Sequence, residues 1–218
     1  MGTAMAGNRI FAHVLLDQFE SRTKGPDNAL RWDGEGWVGT DMNKLWIKSE
    51  GFVSNGVVSD GDQEALYDRP IPRLRYFDAQ IGIRADLDSD PSRLWAALGV
   101  EGIAPYFFAF APTLYISDGG HFAGRLNGSY DLLLTQRWVV QPEGELNFYS
   151  KDDAPRKIGS GLAEIDSGVR LRYEVSRKFA PYIGFAYNGK YGSTAAFAKQ
   201  TGESTSEPRF VFGIRIWH

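Results

Sequence analysis

Val169-Arg170-Leu171-Arg172-Tyr173-Glu174 sets apolar and charged residues in strict alternation. Successive strand side chains point to opposite faces, so a strand here has one oily face and one that carries Arg170, Arg172 and Glu174. The period recurs near the C-terminus, where Phe210, Phe212, Ile214 and Ile216 share one face and Arg209, Gly213 and Arg215 the other. Similar segments of about ten residues follow one another along the chain. A charged face on nearly every strand is incompatible with a dry core, because buried charge without a partner is strongly unfavourable. The arrangement that satisfies both faces puts the oily one in lipid and the polar one in a hydrated lumen.

The remaining composition agrees. At 218 residues the chain is one domain or a single barrel. Its net charge of −3 gives no reason to expect nucleic acid, and the absence of cysteine excludes disulfides, thiolate metal sites and a Cys nucleophile. A cysteine-free chain also fits an oxidising periplasm. No stretch approaches the roughly 20 apolar residues of a membrane helix, and barrel strands average out their hydropathy. Met1-Gly2-Thr3-Ala4-Met5-Ala6 has neither a basic nor an apolar signal region. Residues 1–8 are therefore read as an expression remnant and lead-in, and 9–217 as one outer-membrane β-barrel.

Turn-forming clusters predict an all-β, antiparallel up-and-down transmembrane barrel. Strands are expected at 9–20, 29–39, 44–57, 63–70, 74–86, 93–102, 106–117, 121–133, 138–150, 161–174, 181–191 and 208–217. Twelve satisfies the even number of bacterial barrels, and ten is the alternative, since Pro70 and Pro72 fit either a tight turn or a bulge. Tight connections at Thr40 to Asn43, Ile71 to Arg73, Ile103 to Pro105, Thr135 to Arg137 and Arg177 to Ala180 are expected to face the periplasm. Lys151 to Ser160 and Gly192 to Pro208 are expected outside. Trp37, Trp46, Tyr76, Tyr106, Trp138, Tyr173, Phe179 and Trp217 lie near the tight turns and read as an interfacial girdle.

Following the alternation inward gives a lumen of Asp17, Asp33, Glu35, Lys48, Glu50, Asp78, Arg84, Glu101, Arg125, Asp131, Glu143, Glu145, Asp166, Arg170, Arg172, Glu174 and Arg215. Charges of both signs in a narrow barrel must find partners, so a cross-linked network is expected, with a solute path through it as the alternative.

Several stretches resemble the copper resistance protein B family, called CopB or PcoB. They are Trp32-Asp33-Gly34-Glu35-Gly36-Trp37 onward to Gly51, Gly102-Ile103-Ala104-Pro105-Tyr106-Phe107, Tyr130-Asp131-Leu132-Leu133-Leu134-Thr135-Gln136-Arg137, Gln141-Pro142-Glu143-Gly144-Glu145-Leu146-Asn147, and Gly168-Val169-Arg170-Leu171-Arg172-Tyr173-Glu174 through Phe179-Ala180-Pro181-Tyr182. The resemblance runs from about Phe11 to Trp217. It implies a Gram-negative outer-membrane barrel for copper homeostasis that binds or transports copper beside a periplasmic multicopper oxidase. Family members often carry a Met- and His-rich leading segment and end in Phe. Here only Met1 and Met5 precede the first strand, and the end Ile216-Trp217-His218 suggests that His218 is a tag residue.

Copper favours His, Met and Cys. The candidate ligands are His13 on the lumen face, His121 after Gly119-Gly120 at the outer rim, and Met42 in a tight turn. Same-face carboxylates two residues apart, Asp33 with Glu35 and Glu143 with Glu145, can guide cations loosely or pair with Arg170, Arg172 and Arg215. No Gly-x-Ser-x-Gly, His-Glu-x-x-His or Walker motif occurs, so no enzyme is expected. Three functions remain: a copper-binding or copper-conducting barrel, a plugged barrel that docks the oxidase, and a general small-solute channel. The partners expected are outer-membrane lipid and copper ions, with the oxidase as a third.

Overall fold

The computed structural model describes residues 9–24, 27–54, 56–74, 76–86 and 92–218. Twelve antiparallel strands form one closed sheet: β1 (Phe11–Lys24), β2 (Asp27–Thr40), β3 (Asn43–Ser54), β4 (Val57–Pro70), β5 (Phe77–Asp86), β6 (Arg93–Ala104), β7 (Phe108–Ser117), β8 (His121–Tyr130), β9 (Trp138–Tyr149), β10 (Gly161–Tyr173), β11 (Phe179–Lys190) and β12 (Ser206–Trp217). Each pairs with its sequence neighbours, and β12 closes on β1. After a break at Asp131, Leu132–Leu133 continues β8 in unchanged register against β9. The strands are of ample length for a bilayer, which needs about 9–11 tilted residues.

The oily faces point outward. Ile81, Ile83, Leu98, Phe185 and Phe212 are all exposed, a surface that only lipid can cover along a whole barrel. Neighbouring aromatics fill gaps on this wall, as where Trp32 lies over Gly51, whose added Cβ would come within 2.5 Å of the indole. Tyr76, Tyr106, Trp138 and Phe179 are exposed near the turns at the terminal end, where β1 begins and β12 ends.

Trp37 and Trp46 depart from the expected girdle. They share the phase of Asp33, Glu35 and Lys48, face each other across the β2–β3 ladder, and pack inside with their rings tilted, Trp46 being buried. The fourth strand also differs, since β4 starts at Val57 rather than 63, while at Pro70 and Pro72 the tight turn is the alternative found, with the Leu74 amide donating to the Ile71 carbonyl. The 192–208 connection holds a helix, α1 (Gly192–Gln200).

Two bulges set the lumen's phase. β1 carries one extra residue between Leu16 and Gln18, so Asp17 and Gln18 both reach the interior and Glu20 and Arg22 follow. β4 carries another between Ser59 and Asp62, after which Asp62, Glu64, Leu66 and Asp68 are buried inward.

Candidate functional site: the charged lumen

At the terminal end, Lys44 bridges Asp68 at 3.2 Å and Asp78 at 2.6 Å, while Arg172 holds Asp131 at 2.8 Å and lies 3.7 Å from Glu174. Beside them His13, Trp37 and Trp46 form a row across adjacent strands, with ring centroids 6.4 Å and 6.2 Å apart.

Above this rim lies a chamber of about 350 Å³. Ten carboxylates line it: Asp17, Asp33, Glu35, Glu50, Asp62, Glu64, Glu101, Glu143, Glu145 and Asp166. Among the described residues four cations do: Arg31, Lys48, Arg125 and Arg215. Lys48 pairs with Glu101 at 2.5 Å and lies 4.0 Å from Glu35; Arg215 pairs with Asp17 at 2.8 Å. Asp33 and Glu64 enter no ion pair among the described residues, and Glu64 accepts a hydrogen bond from the Tyr115 hydroxyl at 2.5 Å. One wall is lined by Ala109, Ala111, Gly128 and Ser129, which leaves the space open.

A layer of charge closes the chamber from above. Arg125 reaches Glu50 and Asp62 together and lies 3.4 Å from Glu145; Arg31 is 3.4 Å from Glu50. These five residues and Asp166 line both this chamber and a second one of about 110 Å³, and so form the septum between them. To one side Arg170 holds Glu20 at 2.7 Å and Glu143 at 2.5 Å, and Arg22 holds Glu20 at 2.8 Å and Asp166 at 2.7 Å.

The second chamber is roofed by the 151–160 segment. Arg156 reaches inward from a 3-10 turn (Ala154–Arg156) to Asp86, which also accepts from Arg84 at 2.7 Å and from the Trp95 indole at 2.8 Å. Ile158 lines the same space. The segment is tied to α1 by the Gly159 amide donating to Thr194 Oγ1 at 2.8 Å.

All seventeen charges expected inside lie on the lumen side, with Asp78, Asp131 and Glu174 at its terminal rim. The metal candidates are not brought together: His13 and Met42 lie at the terminal end, and His121 at the other, where β8 begins. Among the described residues no three His, Asp or Glu side chains converge in a metal-holding group. Sequence reading missed Gln18, Glu20 and Arg22, whose phase the β1 bulge shifts, Asp62, which lies outside the expected 63–70 strand, and Glu64 and Asp68, whose alternation was visible within it. Nothing in the sequence signalled Arg156.

Comparisons with known proteins fit this architecture. Residues 10–218 match the family described as copper resistance protein B precursor (CopB). The chain belongs to the copper resistance protein B family. It is 41% identical to Copper resistance protein B of Escherichia coli over 99% of this chain and 72% of that protein. It is 38% identical to Copper resistance protein B homolog of Pseudomonas syringae pv. tomato over 99% and 73%. Among solved structures, the NanC porin shares the fold, with a TM-score of 0.56 at 13% identity over 94% of this chain and 99% of that one. The family membership ties the barrel to copper resistance, and the porin likeness bears on the fold alone.

Proposed function

We propose that this barrel lies in the Gram-negative outer membrane and carries copper ions through its lumen, binding them weakly on the way. The observation that carries this reading is the excess of acid around the larger chamber, whose ten carboxylates still outnumber the cations when Arg22, Arg84 and Arg170, which reach Asp166, Asp62 and Glu143 from outside its lining, are added to the four that line it. A narrow cavity with low-dielectric walls and excess negative charge concentrates cations. Carboxylate spacing without a converged ligand set suits passage better than retention, because conduction requires sites weak enough to leave. With the start of β1, the end of β12 and the tight turns on the periplasmic side, the acid-rich chamber opens toward the periplasm and the Arg156 roof faces outside.

A second reading, a plugged barrel that docks a periplasmic copper oxidase, draws support from the septum and the roof. Copper flux into proteoliposomes, measured against empty vesicles and with calcium as a control ion, separates the two. The pathway reading expects flux that falls when Asp33→Asn and Glu35→Gln are combined. Absence of flux from both the folded native barrel and a folded Arg156→Ala variant sinks the pathway and leaves the docking role.

A further inference from the structure

We infer that the 151–160 segment is a gate over the outer mouth of the lumen and that Arg156 is its latch on Asp86. This rests on the lumen being a path for cations. The latch is deep, with the Arg156 side chain 5% exposed and that of Asp86 1%. It is also the roof of the smaller chamber, so its position decides whether that chamber meets the outside.

Three features make the closure reversible. First, Asp86 keeps Arg84 at 2.7 Å and the Trp95 indole at 2.8 Å after Arg156 leaves, so opening strands no buried carboxylate. The departing guanidinium goes to water, where it is well solvated. Second, the segment has little apolar anchorage: Ile158 is half-buried, while Ala154 and Pro155 are exposed. Its other ties include Asp153 to Arg93 at 2.9 Å, Gly159 to Thr194, Lys151 to the Gly119 carbonyl at 3.0 Å, Asp152 to Ser193, and the exposed pair of Lys157 with Glu203, all of them polar. Segments held this way open at low cost. Third, Lys157, directly after the latch, is held at φ +57°, a left-handed backbone unfavourable for a residue with a side chain.

The charge of the latch matters as much as its bulk. Glu50, Asp62, Glu145, Glu164 and Asp166 line the smaller chamber against Arg31, Arg84, Arg125 and Arg156. With Arg156 in place the two signs nearly balance; with it withdrawn, five carboxylates face three cations. Opening therefore unblocks the mouth and makes it attractive to cations in one movement.

The chain has no cysteine, so a single Asn147→Cys in the smaller chamber reports access cleanly. The rate of its reaction with a cationic methanethiosulfonate added from the loop side is compared with and without Arg156→Ala, in barrels shown to be folded by heat-modifiable mobility. The gate predicts at least a tenfold faster reaction in the alanine variant and a smaller increase with Arg156→Lys, which keeps the charge and loses the fork. If the alanine variant does not assemble, the lysine variant alone decides. Equal rates in folded barrels overturn the gate. Because labelling needs no copper and no flux, that result leaves the pathway reading to its own test.

Discussion

Arg170 clasps Glu20 across the barrel interior with two bonds, Nε to Oε2 and Nη2 to Oε1, each 2.7 Å, from strands separated by β11 and β12. Both side chains are essentially sealed from solvent. Removing one partner of such a pair leaves a buried charge, so Arg170→Ala is expected to cost about 3–5 kcal/mol. Replacing both together, Arg170→Met with Glu20→Leu, should recover part of that, because Glu143 loses Arg170 but keeps the Gln18 amide and Arg22 loses Glu20 but keeps Asp166. Urea midpoints of the barrel refolded in vesicles measure both. A single substitution that costs no more than the double would show that the pair is not the strut it looks to be.

Gly184 sits opposite Arg170 on the neighbouring strand, and a Cβ there would lie 2.2 Å from the Val169 carbonyl oxygen. Gly184→Ala must therefore push β10 and β11 apart. The expected loss is about 1–3 kcal/mol, as for other overpacked sites. The heat-modifiable fraction after refolding reads it, and native-like yield from the alanine variant would mean that the ladder adjusts freely.

The period-two alternation displayed the lumen because it is a strictly local signal, and Arg170, Arg172 and Arg215 were legible for that reason. The count of twelve strands followed from the turn residues. Glu20 and Arg22 were hidden because one extra residue at Asp17 reverses the phase, and no composition rule marks a bulge of that kind. Trp37 and Trp46 were misplaced when nearness to a turn was weighed above their phase with Glu35 and Lys48. Arg156 was beyond reach, since its burial depends on a loop that folds back through space onto Asp86.

Arg125 is the centre of the septum, bound to Glu50 and Asp62 and 3.4 Å from Glu145. Arg125→Gln removes a positive charge from the layer that separates the two chambers. Arg31 and Arg84 remain to pair with Glu50 and Asp62. In such a passage one charge is worth roughly 1 kcal/mol or more to a passing cation, so conductance in planar bilayers is expected to rise several-fold and the reversal potential to move toward the cation value. Conductance unchanged in folded protein would place the constriction elsewhere.

Glu203, in the connection between α1 and β12, binds Lys157 and Lys190, each at 2.9 Å. The hydrogen bond from Lys157, then that from Lys190, pulls its carboxyl down from the ordinary 4.5 to about 2. A folded value below the unfolded one means that the tie contributes in full above about pH 4.5 and fades as pH falls toward about 2. The groups are substantially exposed and screened, so local loosening is expected instead of unfolding. A spin label at Ser204→Cys should report constant mobility from about pH 8 to about pH 5 and rising mobility below about pH 4.5. Glu203→Gln should make the label mobile throughout and erase the step. A step centred above about pH 5, or one that survives Glu203→Gln, would assign the loosening to another group.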